Sequence, residues 1–277
     1  MKHDPDIAKR QRIALVDLHT KYARAIFLES DPIGIVSRFQ AREDIEVVGF
    51  LSAMFAYGNV KAIRGFLLSL LSELGREPAG RLIRGKINSQ GYYRFQTAAD
   101  IKALLNAIGK MMRTKGSLEP YFGHTGMPMR ERIAAFQESL THLVAQPLTR
   151  GLRHLIGDPR AKSAQKRYCM FLRWMVRDQF PDFGLYQTFA ASDLVVPLDL
   201  HVARMARNLG WSKKTSSSWA NAETITASLR AIHPDDPLRV DFPLTRPGIL
   251  GLCKSRFLPG CTTCEVRSCC RIYARHA

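Results

Sequence analysis

The spacing of apolar residues leaves this chain few choices other than a helical fold. In residues 98–112, Ile101, Leu104, Leu105, Ile108 and Met112 recur at i, i+3, i+4 and i+7 intervals, so they share one helix face. The same period runs through 4–27, with Ile7, Ile13, Leu15, Leu18, Tyr22 and Ile26. It returns in 163–179, with Ala164, Tyr168, Phe171, Leu172 and Met175, and in 43–57, 60–74, 130–144, 200–209 and 222–232. No stretch alternates apolar and polar residues for more than three or four positions, so no strand is expected. GREPAG (75–80), GHTGMP (123–128), GDPR (157–160) and HPDDP (233–237) carry the Gly, Pro and Asp clusters that mark loops. No repeat or low-complexity tract interrupts the pattern. The expected fold class is all-α, with about ten helices.

Charge narrows the partners. The 277 residues include 41 Lys and Arg against 24 Asp and Glu, a formal net charge of +17. Such an excess favours a polyanionic partner, nucleic acid first and an anionic membrane surface second. No segment reaches the 18 or so apolar residues that span a bilayer. The best candidate, VVGFLSAMFAY (47–57), is too short and suits a buried helix. The opening MKHDPDIAKRQR has no apolar signal core, so a cytoplasmic, reducing setting is expected.

That setting bears on the cysteines. Five of the six lie in CKSRFLPGCTTCEVRSCC: Cys253, Cys261, Cys264, Cys269 and Cys270. The spacing is C-x7-C-x2-C, followed by x4 to Cys269 or x5 to Cys270. Clustered thiols in a reducing compartment point to metal ligation rather than disulfides. Zinc sites usually use two CxxC knuckles, and here there is one. A single short loop fits a [4Fe–4S] cluster better, with a four-cysteine zinc site as the alternative and Cys269 as the alternative fourth ligand. Cys169, inside a helical stripe, reads as an ordinary buried residue.

Two further segments carry chemistry-bearing residues. In LVVPLDLHVARMARNLGW (194–211), Asp199 and His201 open an apolar helix. Asp199 suits an N-cap, and His201 suits a structural place in the first turn. Upstream, in GDPRAKSAQKRYCMFLRWMVR (157–177), Arg160, Lys162, Lys166 and Arg167 crowd a helix predicted to begin near Ser163. Cations and backbone N–H groups there could grip a phosphate. Alternatively, an amine near a positive helix end and against an apolar wall is primed as a nucleophile, and Lys166 suits this better than Lys162.

The order of these segments resembles the helix-hairpin-helix DNA glycosylase superfamily, of the endonuclease III-like kind. A basic helical segment with a lysine comes first, then V-P-x-D-x-H-V-x-R, then a four-cysteine loop. The family's loop is one residue shorter in its first gap. EDIEVVGFLSAMFAYGNVKAI (43–63) is similar to the family's first core helix and the loop that probes DNA. Residues 162–177 resemble K-S-A-x-K-R-x-x-M-F-L-R-W-M-V-R, a pattern of one bacterial branch that carries a C-terminal iron–sulfur cysteine loop. The glycine-rich hairpin of other members is missing, with GDPRAKSAQ in its place. Lys166 and Asp199 stand 33 positions apart, which implies an insertion within 178–196. Some archaeal 8-oxoguanine glycosylases have a similar separation and a Gln-Lys pair like Gln165-Lys166.

The resemblance implies a single glycosylase-like unit over 1–277, with one helical lobe at 41–150 and a second at 1–40 plus 151–277. The second lobe would hold the helix-hairpin-helix element and the cysteine loop. It implies a DNA repair glycosylase/AP lyase in which Lys166 forms a Schiff base and Asp199 assists. Tyr57, Asn59, Arg160, Lys162, Arg167 and His201 would contact DNA. Cys253, Cys261, Cys264 and Cys270 would hold the cluster. The implied partner is double-stranded DNA with a damaged base or abasic site, met by a monomer in the cytoplasm on the nucleoid. The alternatives are a non-catalytic iron–sulfur DNA-binding protein and an RNA-binding protein.

Overall fold

The computed structural model describes residues 5–85, 87, 90–144 and 147–276. Among these, every regular element is helical, apart from two isolated bridges, Tyr93 to Gln96 and Ser163 to Ser218. The α-helices are α1 (Pro5–Tyr22), α2 (Ile33–Val36), α3 (Arg42–Met54), α4 (Val60–Leu74), α5 (Pro78–Arg84) and α6 (Ala98–Lys115). Then come α7 (Met129–Leu143), α8 (Arg150–Ile156), α9 (Lys166–Val176), α10 (Leu200–Asn208), α11 (Trp219–Ile232) and α12 (Asp241–Ile249). The all-α expectation holds.

Local chemistry sets the ends. The Thr97 hydroxyl of α6 accepts from Asp100 N–H, and the Asp100 carboxylate accepts from Thr97 N–H, a reciprocal capping box. Gly116, at φ 73°, ends that helix in the left-handed region that favours glycine. Three expectations need correction. GREPAG is not all loop, because Pro78 starts α5; proline is at home at a first helical position, where its missing N–H has no partner anyway. The first helix stops at Tyr22 instead of running to Phe27, and Ala25–Ser30 is a separate 3₁₀ turn. Asp4, the expected start, lies outside the described residues. The lysine-bearing helix begins at Lys166, not near Ser163, because Gln165 sits at φ 48° and breaks the helical path.

One continuous apolar cluster runs from Ala14 to Val266. At its centre lies α3, in which every residue from Asp44 to Met54 is buried. It packs against α2, α5 and α9. Phe50 meets Phe171 edge-on at 5.3 Å, and a Cβ added at Gly49 would lie 2.9 Å from Met175 Cε. Each fully buried side chain of this size contributes about 1.5–3 kcal/mol. Buried Glu46 is satisfied by the Ser117 hydroxyl (2.7 Å) and Leu118 N–H (2.9 Å), although burial still raises its carboxyl above the usual range.

Ion pairs fix how α9 meets the later chain. Arg173 donates to Asp182 Oδ1 at 2.9–3.1 Å and to Asp241 Oδ2 at 2.5 Å. Arg177 donates to the other oxygen of Asp182 and, at 2.8–3.0 Å, to Asp236. Both arginines are nearly fully buried. The segment between α9 and α10 therefore folds back on α9. Its backbone N–H groups at Phe183 and Tyr186 donate to Trp174 and Met175 carbonyls, each at 2.8 Å.

Candidate active site

The fold brings two helix beginnings together. Lys166 is the first residue of α9, and Asp199 is the N-cap of α10. The two Asp199 oxygens divide their work. Oδ1 accepts from the His201 and Val202 N–H groups, both at 2.8 Å, while Oδ2 lies 3.5 Å from Lys166 Nζ. The side chains are 35% and 21% exposed, so both keep some access to solvent. The cap fixes the carboxylate through backbone that cannot swing away.

Behind the pair lies a cavity of about 200 Å³. From α9 come Lys166, Met170, Arg173 and Trp174, a single stripe at helical spacing. From α12 come Asp241, Thr245, Arg246 and Ile249. Gly58, in the turn before α4, and residues 30–32 close the remaining sides. Arg246 is held by Asp31 at 2.7 Å. Lys166 and Asp199 also line a second hollow with Gly157, Ser163 and Ser217. The pair thus borders both hollows.

The other expected contact residues fall into two groups. Arg160 and Lys162 are exposed on the connection between α8 and α9. Asn59 is exposed too, and its side chain caps α4 by accepting from Lys61 N–H at 2.8 Å. Arg167 turns inward, donating to the Met54 carbonyl at 2.8 Å and to the His154 carbonyl. Tyr57 is half-buried: its hydroxyl bonds Gln96, and its ring sits among Tyr93 (5.1 Å), Phe95 (6.0 Å) and His154 (4.5 Å). His201 lines the cavity with its ring against Gly248, and burial lowers its pKa. Sequence reasoning missed Trp174, Arg173 and Asp241. Their positions one helix face on from Lys166 were a usable signal only for the first two. It also missed Tyr92, 67% exposed, and Phe95, which flank Arg94 on the loop before α6.

A second constellation closes the chain. Cys253, Cys261, Cys264 and Cys270 all line one small cavity against Met205, Asn208 and Val266. Cys269 does not; its thiol donates to the Val266 carbonyl at 3.4 Å. Asn208 Nδ2 donates to Cys253 Sγ and Leu258 N–H to Cys261 Sγ, both at 3.4 Å, the kind of contact that suits a thiolate. Burial pushes the Cys253 thiol up to about 11. The donor set fits a thiolate-bound metal or cluster. As the side chains stand, no three His, Cys, Asp or Glu among the described residues are close enough to hold an ion, so the cavity identifies donors and no coordination geometry. Cys169 is buried against α9's core, as expected. No helix among the described residues is long and apolar enough to cross a membrane.

Residues 31–250 match the family described as "Protein of unknown function (DUF2400)". That span contains Lys166, Asp199, Asp241 and Arg246 and stops just before Cys253. No curated protein and no solved structure matches the chain.

Proposed function

The chain belongs to the DUF2400 family, and we propose that it is a DNA glycosylase with AP lyase activity, using Lys166 as nucleophile and Asp199 as its partner. One observation carries this reading: an amine and a carboxylate 3.5 Å apart, each at a helix beginning, at the mouth of a cavity.

Asp199 takes a proton from Lys166 and leaves a neutral amine. The amine nitrogen bonds to C1′, and the electron pair of the C1′–N glycosidic bond departs with the base. Positive charge grows on the sugar as that bond breaks; the departing base takes up the proton from Asp199, and the restored carboxylate stabilises the charge. Ring opening at O4′ then yields a Schiff base, and loss of a C2′ proton expels the 3′ phosphate. Extruding the base costs a few kcal/mol, least for a damaged or mispaired one. Exposed Arg160 and Lys162 beside the site supply phosphate contacts, and Tyr92 and Phe95 offer ring faces to bases. A [4Fe–4S] cluster, or alternatively zinc, held by Cys253, Cys261, Cys264 and Cys270 would supply a cross-link for the end of the chain. The connection between α8 and α9 takes the place of the helix-hairpin-helix turn.

Borohydride reduction on abasic-site duplex tests the reading. Wild type is expected to form a covalent adduct and Lys166→Ala none, while Lys162→Ala still traps. A full yield of adduct from Lys166→Ala, or none from wild type, refutes it. Binding to abasic duplex without any adduct would instead mark a non-catalytic nucleic-acid-binding protein.

A further inference from the structure

Three residues that line the cavity behind Lys166 and Asp199 each carry a polar atom that nothing in the protein satisfies: Trp174, Asp241 and, with its Nδ1 close against Gly248, His201. Trp174 is fully buried, and its indole Nε1–H has no acceptor. Asp241 is 3% exposed; Arg173 occupies its Oδ2, and Oδ1 has no donor. Both residues line the same cavity as the amine–carboxylate pair. Leaving such groups unpaired is costly, and native interiors seldom do so. Other unpaired buried atoms, such as Ser52 Oγ and His233 Nε2, belong to residues that line neither this cavity nor the cysteine cavity. Unpaired donors and acceptors gathered on residues around one cavity are explained by a ligand that completes them.

We infer that this cavity seats the extruded base and that Trp174 and Asp241 read it. The indole N–H donates to a ring nitrogen or carbonyl of the base, and the Asp241 carboxylate accepts from a neighbouring N–H. The ligand class is therefore a heteroaromatic base with a donor and an acceptor on one edge. This rests on the glycosylase reading and adds which residues recognise the base. Placement supports it. Trp174 lies eight residues after Lys166, about 12 Å along α9, and on the same stripe. Helical side chains lean toward the helix N-terminus, which brings the indole back toward the amine. A sugar held at Lys166 would then direct its base inward between the two readers. Asp241 cannot turn away, because Arg173 grips it and Asp182 grips Arg173. Asp241 is thus positioned by the buried ion network rather than by the ligand.

Trp174→Phe keeps an aromatic ring, although a smaller one, and deletes the N–H; Asp241→Asn is the second variant, and the folding of both is checked by circular dichroism. Single-turnover excision from a panel of damaged-base duplexes is measured beside borohydride trapping on abasic duplex, where no base is present. For Trp174→Phe the ratio of excision to trapping is expected to fall roughly tenfold to a hundredfold. Binding to a base-bearing duplex relative to one with a tetrahydrofuran site falls in parallel. An unchanged ratio in both folded variants overturns the inference. The two readings fail separately: absence of a wild-type adduct on abasic DNA removes the lyase chemistry, whereas normal trapping with an unchanged ratio removes only the base readers.

Discussion

The pocket at the start of α10 and the cysteine loop at its end are built in opposite ways. Around the pocket, Arg173, Arg177, Asp182 and Asp241 lie in the interior, and each arginine meets carboxylates from more than one part of the chain. In residues 250–276, Val266 is the single buried residue, and three short 3₁₀ turns supply the regular structure. The loop is attached at its edges, by Arg204 to the Cys253 carbonyl (3.0 Å), Arg271 N–H to the Asn208 carbonyl (2.7 Å) and Lys21 to Glu265 (2.6 Å). The pocket is shaped by folding alone. The loop buries little of its own, and a metal or cluster held by its thiols, as proposed above, would steady it.

The sharpest way to break this contrast is to damage the pocket's frame. Asp182→Asn leaves two buried arginines short of a counter-charge and should cost about 3–5 kcal/mol in urea unfolding. A loss near that of an exposed pair, below about 1 kcal/mol, would mean that the network does not set the pocket. Chelation, or Cys261→Ser with Cys264→Ser, attacks the other region. Limited proteolysis is then expected to clip within 250–276 while the preceding helices survive and the main melting transition shifts little. A single joint collapse would erase the distinction.

Smaller effects sharpen it. Asp199→Asn can still accept the two N–H bonds, so it should keep stability yet lower trapping about a hundredfold or more. Asp199→Ala should lose the cap as well, at about 1 kcal/mol. The smallest effect concerns pH. Burial, with Arg167 and Arg94 nearby, lowers His154 from 6.5 to about 4 in the folded chain. Protonation therefore favours the unfolded state. Stability from this group is complete above about pH 6.5 and declines as pH falls toward about 4. Thermal melts across that window should show a shallower slope for His154→Gln; equal slopes would exclude the contribution.

The legible parts of this molecule were those governed by local rules. Apolar period marked α4 and α6, and capping chemistry marked Asp199 at the head of α10. Boundaries set by a single dihedral were not legible, as at Gln165, where a left-handed residue delays α9 by a few positions. Pro243 and Pro247 hid α12, and with it one wall of the cavity. Lys166 and Asp199 could be named separately, but their approach across 33 positions depends on how the segment after α9 folds back. Direction was the least legible property. Tyr57 and Arg167 have the composition of contact residues, yet tertiary packing turns both inward. Asp241 read as nothing in particular, because its meaning comes from Arg173 alone.

The packing of α3 on α9 carries one more consequence. The closely fitted Gly49 and Met175 lie on either side of what would be a division at residue 150, and the apolar cluster crosses it without a gap. Under the proposed function, packing this close favours a substrate that deforms over a protein that clasps it. Selectivity would then follow how easily a substrate bends and opens, and stiff, well-stacked duplexes would be passed over before any chemical group is inspected.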